Sequence, residues 1–548
     1  MKKLTALFLS ASMTAFAGFS ALAQPLAPNI PDPKPVPADA GKGDAPYFQI
    51  VVTPLATNGP YTGRLTIYLM KDKSGLPPEL GPGDGPFFDA PQPMFSMWVD
   101  NLKVGDQIKF VDELSFPAPL KDLPNGRYRA QAVLDRNTQH SSWQKEPTNS
   151  SSPYVNFEVR SDRPKPFVRF EMVDVGPRPM PPIEGVELFE IRSDLISSFR
   201  GTETMLKAGV VFPVNYDSSR KYPAVYWVHG FPMTAEWGGD YGDAWIEGHH
   251  RVRRAKFPKD TRYRETHEIW KDAFLICLDA NGPNGHTLFA DSDNNGPMAK
   301  ALVQELIPAL EKKYNLIAEP EARVLRGHSS GGWSAVWLTM HHPDVFGEAW
   351  AGGPDPVDFR FFQAGSIYDR SNMFTDSDGK LVPSYRVGDE VRLSVRDEAA
   401  MERVLGPKGE GAQQWCSWMA VFGPKGSDGR FKPLFDLATG EIDASVAKSW
   451  ARYDIAALVR ANPETYGPVF RDRIRIIAGG KDNFYLNRAV ESLAGDLEKM
   501  GARKAPGQGG GYIEVRPNED HGGAMSEESL RQIYNEILTH FRAKGYTK

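Results

Sequence analysis

A chain of 548 residues is longer than one ordinary domain. Its 64 Lys and Arg against 69 Asp and Glu give a net charge of -5 and a pI near 6.2, so charge makes no case for nucleic acid or an anionic membrane surface. Two cysteines alone cannot build a metal site, and no His-Glu-x-x-His motif occurs; no metal or cofactor is expected, and a bond between Cys277 and Cys416 is permitted but not indicated by their spacing.

Residues 1–23 begin with Lys2 and Lys3, continue apolar and end in Ala21-Leu22-Ala23. This is the pattern of a secretory signal peptide, and it predicts an exported protein, periplasmic or secreted. The apolar run is short and interrupted by Ser, Thr and Gly, which argues against stable membrane insertion. Residues 24–44 are rich in proline and are expected to form an extended linker. From 45 to 160, short apolar runs alternate with Gly and Pro turns, near 47–52, 63–69, 107–111, 126–134 and 154–159. That spacing predicts a β-sandwich-like domain, with Asn125-Gly126 as a hairpin-type turn. Residues 161–182 are again proline-rich and are expected to be a second linker.

From 183 to the end, strand patterns near 206–212, 224–229, 273–279, 322–326, 346–351, 473–478 and 512–516 alternate with helical ones such as 298–314 and 486–500. This alternation predicts an α/β fold, a doubly wound and mostly parallel sheet. An insertion at about 354–470 reads as a lid or substrate wall. Trp415 and Trp418 are weak candidates to line a pocket there, with the insertion's own small core as the blander alternative.

The chemistry centres on residues 324–332, Val-Leu-Arg-Gly-His-Ser-Ser-Gly-Gly. An apolar strand precedes Gly327-His328-Ser329-Ser330-Gly331, and Trp333, Val336, Trp337 and Met340 follow at helical spacing. Strand, sharp turn and helix are the context of a nucleophile elbow. A serine needs a base, and the base needs an orienting acid. In this fold the acid and then the histidine follow the serine in the chain. His521 lies on a polar loop after the 512–515 alternation, and Asp482 leads off the end of the 473–478 strand. These two are the expected base and acid. Asp520 and Glu519 are fallback acids, Asp454 is a more distant one, and His540 reads as a packing residue on a helix. The expected oxyanion donors are backbone N–H groups of Ser330 and of Phe231, with Gly230 next, at the end of the 223–228 strand. His229 reads as a structural hydrogen-bonding group.

Three further features carry weaker expectations. Asn284 and His286 follow a strand end on the nucleophile's rim and are candidate substrate contacts. Asp291 to Gly296 matches half a calcium loop, but the twelfth position holds Leu302, so a turn is expected. The basic stretch at 251–264 reads as a solvated loop, with an acidic substrate as the alternative.

Residues 221–230 (Lys-Tyr-Pro-Ala-Val-Tyr-Trp-Val-His-Gly), 305–314 (Glu-Leu-Ile-Pro-Ala-Leu-Glu-Lys-Lys-Tyr) and the Gly-His-Ser-Ser-Gly-Gly elbow resemble the esterase family that groups esterase D, enterochelin esterases, feruloyl esterases and mycolyltransferases. The resemblance runs over roughly 183–548, with a divergent insertion. It implies an α/β-hydrolase fold and a serine carboxylic-ester hydrolase; it does not fix the substrate, and a small-molecule or glycan-linked ester is expected. It maps nucleophile, acid and base onto Ser329, Asp482 and His521. An acyltransferase with the same three residues, an exopeptidase-like hydrolase and a non-catalytic carbohydrate- or surface-binding protein are the rival expectations.

Overall fold

The computed structural model describes residues 36–57, 59–136, 149–175, 181–231, 244, 247–250, 253, 256, 259 and 267–547. The expected signal peptide and most of the basic stretch at 251–264 lie outside these residues. Chain contacts divide the molecule into two compact units, one comprising Met1–Arg178 with Val391–Gly411, the other Pro179–Glu390 with Ala412–Lys548.

Among the described residues, the N-terminal part of the first unit holds nine strands: β1 (Tyr47–Val52), β2 (Tyr61–Lys71), β3 (Met94–Leu102), β4 (Gln107–Lys109), β5 (Leu114–Phe116), β6 (Gly126–Asp135), β7 (Ser150–Ser151), β8 (Val155–Val159) and β9 (Phe167–Asp174). They form one sheet in the order β4-β1-β9-β7-β6-β2-β3-β5, with β8 paired to β6. Alternate side chains fix which face is inside. Phe48, Ile50 and Val52 of β1 and Val168, Phe170 and Met172 of β9 share one core with Leu65, Ile67 and Leu69 of β2 and Ala130, Ala132 and Leu134 of β6. Strands from both ends of the order thus bury a common interior, the arrangement of a sandwich. Each of these side chains larger than alanine contributes about 1.5–3 kcal/mol by leaving water.

Two expectations are corrected here. The stretch 161–182 is not linker throughout, because Phe167–Asp174 is β9, paired parallel to β1. Its period-2 apolar pattern sits close behind Pro164 and Pro166, which read as linker. The insertion at about 354–470 does not stay in one unit either. Its residues Val391–Gly411 belong to the first unit, where the helix Val395–Leu405 packs on β2, β3 and β5.

The second unit is built on an eight-stranded sheet: β10 (Val186–Arg192), β11 (Met205–Val211), β12 (Ala224–Val228), β13 (Phe274–Leu278), then, after the two-residue hairpins β14 (Asn281–Gly282) with β15 (Gly285–His286) and β16 (Asp291–Ser292) with β17 (Gly296–Pro297), β18 (Arg323–His328) and β19 (Glu348–Gly352). A separate hairpin, β20 (Pro383–Val387) with β21 (Glu390–Ser394), precedes the last two sheet strands, β22 (Ile474–Gly479) and β23 (Tyr512–Arg516). The sheet order is β10-β11-β13-β12-β18-β19-β22-β23. The pairings β10–β11 and β11–β13 are antiparallel, so β11 is the reversed strand; the other pairings are parallel. Near-continuous apolar strands such as Phe274–Leu278, all buried, require helices on both faces. The helix Glu527–Ala543 buries Leu530, Ile533, Ile537 and Phe541 against Val225, Leu275, Val324 and Trp350. The helix Ser330–His341 packs on β12, β18 and β19. Among the described residues no helix is long and apolar enough to cross a membrane.

Candidate active site

Ser329 stands between β18 and the helix Ser330–His341, at φ 57° and ψ -122°. A serine in that region is strained and is held there by its surroundings. Its N–H donates to Gly352 O at 2.9 Å, and its carbonyl accepts from Asp355 N at 3.0 Å and Trp333 N at 3.1 Å. The flanking glycines are required by space. A β-carbon on Gly327 would lie 2.0 Å from Gly331 O, and one on Gly331 would lie 2.0 Å from Val228 O. The elbow therefore fits only because three backbones touch there.

His521 and Asp482 come together from the loops after β23 and β22, the carboxyl ends of neighbouring parallel strands. His521 Nδ1 lies 2.7 Å from Asp482 Oδ2, with both side chains buried. Asp482 Oδ1 accepts from the N–H of Phe484 and of Leu486, so the carboxylate is held from both oxygens. The N–H of His521 donates to Asn483 Oδ1 at 3.1 Å. Burial alone would lower the imidazole pKa. The charge and hydrogen bond of Asp482, with Asp355 and Asp520 further off, outweigh it and raise the pKa above the ordinary value. Phe484 and His328 stack around the ring at 5.1 and 4.5 Å. His328 donates from Nε2 to His521 O at 3.0 Å, and burial, with the nearby charge of His521, pushes its own pKa down to about 3.

The other acids and the other downstream histidine take structural places. Asp520 caps the turn of His521 through Gly522 N. Glu519 pairs with Arg516. Asp454 is the N-cap of the helix Ile455–Ala461 and also accepts from Tyr368 Oη. His540 bonds Glu321 O and Glu348.

A residue that sequence reasoning missed sits at the elbow. Asp355, 2% exposed, brings Oδ1 to 3.4 Å from Ser329 Oγ. Its Oδ2 accepts from Ser330 Oγ at 2.7 Å and Trp418 Nε1 at 2.6 Å. Burial pushes this carboxyl up to about 6, against the hydrogen bonds it accepts. Among the described residues, the contact with Asp355 is the hydrogen bond that the Ser329 hydroxyl makes. The only signal in the sequence was its place after β19, in Gly352-Gly-Pro-Asp355, a loop at a strand's carboxyl end.

The insertion holds the acid loop. Arg386, on β20, donates from Nε to Asp482 O at 2.9 Å and from Nη2 to Gly480 O at 3.2 Å. Asn483, which bonds His521, also donates to Arg386 O at 2.8 Å.

Three of the weaker candidates, Trp415, Trp418 and His286, are buried, and the turn expected at 291–296 is found. Trp415 and Trp418 do not line an open surface. They meet each other and Phe362 in an aromatic cluster that also takes in Phe359, Phe422 and Trp450, the insertion's own core. His286 is 2% exposed, and main-chain groups occupy both its ring nitrogens, so it cannot meet a substrate. Asn284 is half-buried and bonds Asn295. The half calcium loop is the turn between β16 and β17, where Asp291 caps the following helix at Ala299 and Lys300. Among the described residues no group of three or more His, Cys, Asp or Glu is placed to hold a metal ion. Cys277 and Cys416 are both buried and unbonded to each other.

Sheet order, elbow and loop placement together define an α/β-hydrolase. More particularly, the chain belongs to the esterase family: residues 200–495 match the family model described as "Putative esterase". Similar curated proteins are dipeptidyl-peptidase 5 of Aspergillus fumigatus, 26% identical over 147 residues, and probable dipeptidyl-peptidase 5 of Trichophyton verrucosum, 24% identical over 239 residues. These matches cover 26% and 38% of this chain and span only 17% and 30% of those proteins. Similar solved structures include a ferulic acid esterase of Anaeromyces mucronatus in complex with ferulic acid, at 16% identity and TM-score 0.30, covering 67% of this chain and 95% of that one. An S-formylglutathione hydrolase of Agrobacterium tumefaciens matches at 13% identity and TM-score 0.34, covering 65% and 94%.

Proposed function

We propose that this hydrolase is an exported serine esterase that cleaves a carboxylic ester through an acyl-enzyme. The observation that carries the reading is the buried His521–Asp482 pair at 2.7 Å, on the loops beside a serine held at φ 57° on its elbow. His521 Nε2 takes the proton of Ser329, and Oγ attacks the ester carbonyl. The N–H groups of Ser330 and Phe231, with Gly230 beside them, receive the developing oxyanion. His521 then gives its proton to the leaving alcohol. Water, activated by the same imidazole, releases the acid and restores the serine. Asp482 fixes the tautomer and stabilises the imidazolium.

The substrate in this reading is a small-molecule or glycan-linked ester. A second reading, release of dipeptides from a peptide chain, is favoured by the similarity to the dipeptidyl-peptidases.

The test is hydrolysis of p-nitrophenyl acetate, methyl ferulate and a dipeptidyl p-nitroanilide by the full chain and by Ser329→Ala. The expected result is ester turnover that falls by roughly 10⁴-fold or more in the mutant. Turnover confined to the anilide would establish the peptidase. Full ester activity in Ser329→Ala would refute both readings.

A further inference from the structure

Two buried histidines support the oxyanion loop. His229 closes the β12 strand end, and His286 lies on β15. Their rings meet edge to face with centroids 4.8 Å apart. Backbone N–H groups can only donate, and this fixes both tautomers. Leu288 N donates to His286 Nδ1 at 3.1 Å, which leaves Nε2–H to donate to His229 O, also at 3.1 Å. Ala280 N donates to His229 Nε2 at 3.3 Å, which leaves Nδ1–H to donate to Gly230 O at 2.7 Å.

The two carbonyls so held are not arbitrary. A trans peptide is planar, with its C=O and N–H pointing in opposite directions. The carbonyl of His229 belongs to the same peptide as the N–H of Gly230. The carbonyl of Gly230 belongs to the same peptide as the N–H of Phe231. Among the described residues neither of these N–H groups donates to a protein acceptor. The loop also abuts the nucleophile, since a β-carbon on Gly230 would lie 3.1 Å from Ser329 Cβ. Two imidazole N–H groups therefore aim two free backbone donors beside Ser329.

We infer that His286 is a positioning residue for the oxyanion hole, acting through the His229 carbonyl on the Gly230 N–H and, by its edge contact with the His229 ring, supporting the side chain that holds the Phe231 peptide. The inference rests on the reading of this site as a serine hydrolase. Both rings do this work only while neutral. Burial favours that form and pushes His286 down to about 4, against the hydrogen bond to the His229 carbonyl. The His286 N–H is itself held by Ser417 Oγ at 3.3 Å, on the insertion helix Gln414–Phe422.

The experiment compares the full chain with His286→Leu and His286→Gln. It measures kcat and KM on a chromogenic ester, and the affinity of a boronic acid that mimics the tetrahedral intermediate. His286→Leu is expected to lower kcat by about 10–100-fold, with KM within about threefold, and to weaken the boronate in proportion. His286→Gln, whose amide can donate to His229 O, is expected to recover most of both. Unchanged kcat and boronate affinity in a folded His286→Leu would overturn the inference, and so would a rise in KM alone. Should that variant fail to fold, the imidazole ¹⁵N spectrum of the wild-type chain decides. It must show neutral His286 protonated on Nε2 and neutral His229 protonated on Nδ1, and any other pair of states overturns the inference. A wild-type chain with no ester turnover and no fluorophosphonate label on Ser329 would instead fail the esterase reading, and the tautomers would still judge His286.

Discussion

His521, the base in the proposed mechanism, acts through its neutral form, which competes with its partners. Asp482 raises its pKa, so in the proposed mechanism activity should fall as pH drops, with a midpoint above the ordinary imidazole value of about 6.5. Asp482→Asn removes that carboxylate and leaves the burial, so the midpoint of whatever activity remains should move down. The loss itself should be about 10⁴-fold in kcat. A pH–rate profile of both proteins checks the two statements. The linkage to stability has the opposite sign. A raised folded pKa means that the native state favours the protonated ring. The stabilisation is therefore fully present below about pH 6.5 and is lost as pH rises through the folded pKa. The pair holds the fold most firmly where the base is least active. Asp355 gives a second test at this scale. Trp418→Phe keeps an aromatic side chain, smaller than the indole, and removes the Nε1–H donor from a buried carboxylate. It should cost about 1–3 kcal/mol, read as a lower midpoint in urea unfolding.

At the scale of elements, the β20–β21 hairpin acts on the site from the insertion. Arg386 grips the carbonyls of Gly480 and Asp482 with two separate N–H groups, and Asn483 continues the contact to His521. A small displacement of an acid loop is enough to misalign a catalytic imidazole. Arg386→Ala is therefore expected to lower kcat by about tenfold with little change in KM, and Arg386→Lys should not restore it, because an ammonium cannot reproduce the fork. Steady-state kinetics on one ester measures both. Such a contact was not legible in the sequence. Strand patterns at 224–229, 322–326 and 473–478 announced the sheet because buried parallel strands are apolar throughout, and the elbow announced itself by glycines that only close packing demands. By contrast β10, Val186–Arg192, is an edge strand that carries Glu187, Glu190 and Arg192, which blur its pattern. The hairpin's role depends on main-chain carbonyls, which leave no trace in residue type. Asp355 was hidden for a related reason: a single acid on a loop has no period, and only the fold brings it to Ser329.

At the scale of the molecule, the chain visits the first unit twice, once from its N-terminal side and again through Val391–Gly411. The linker expected at 161–182 suggested two beads on a string, which would be separable. They are not, because the helix Val395–Leu405 packs on the first unit's β2, β3 and β5 and buries Ala399, Met401, Val404 and Leu405. Deleting residues 1–178 should leave that helix with an uncovered apolar face and yield an insoluble fragment. Replacing 395–411 by a flexible Gly/Ser linker in the same truncation should restore solubility, and the soluble fraction after expression measures both.

The double visit also sets an order of events on the ribosome. Domains generally fold from the N-terminus as they emerge, at roughly 5–20 residues per second. Here the nine strands of the first unit leave the exit tunnel more than two hundred residues ahead of the helix that belongs with them. Wherever the chain folds, the sandwich keeps one face of β2, β3 and β5 bare until that helix has followed. It is completed only after the elbow of the second unit has already been made.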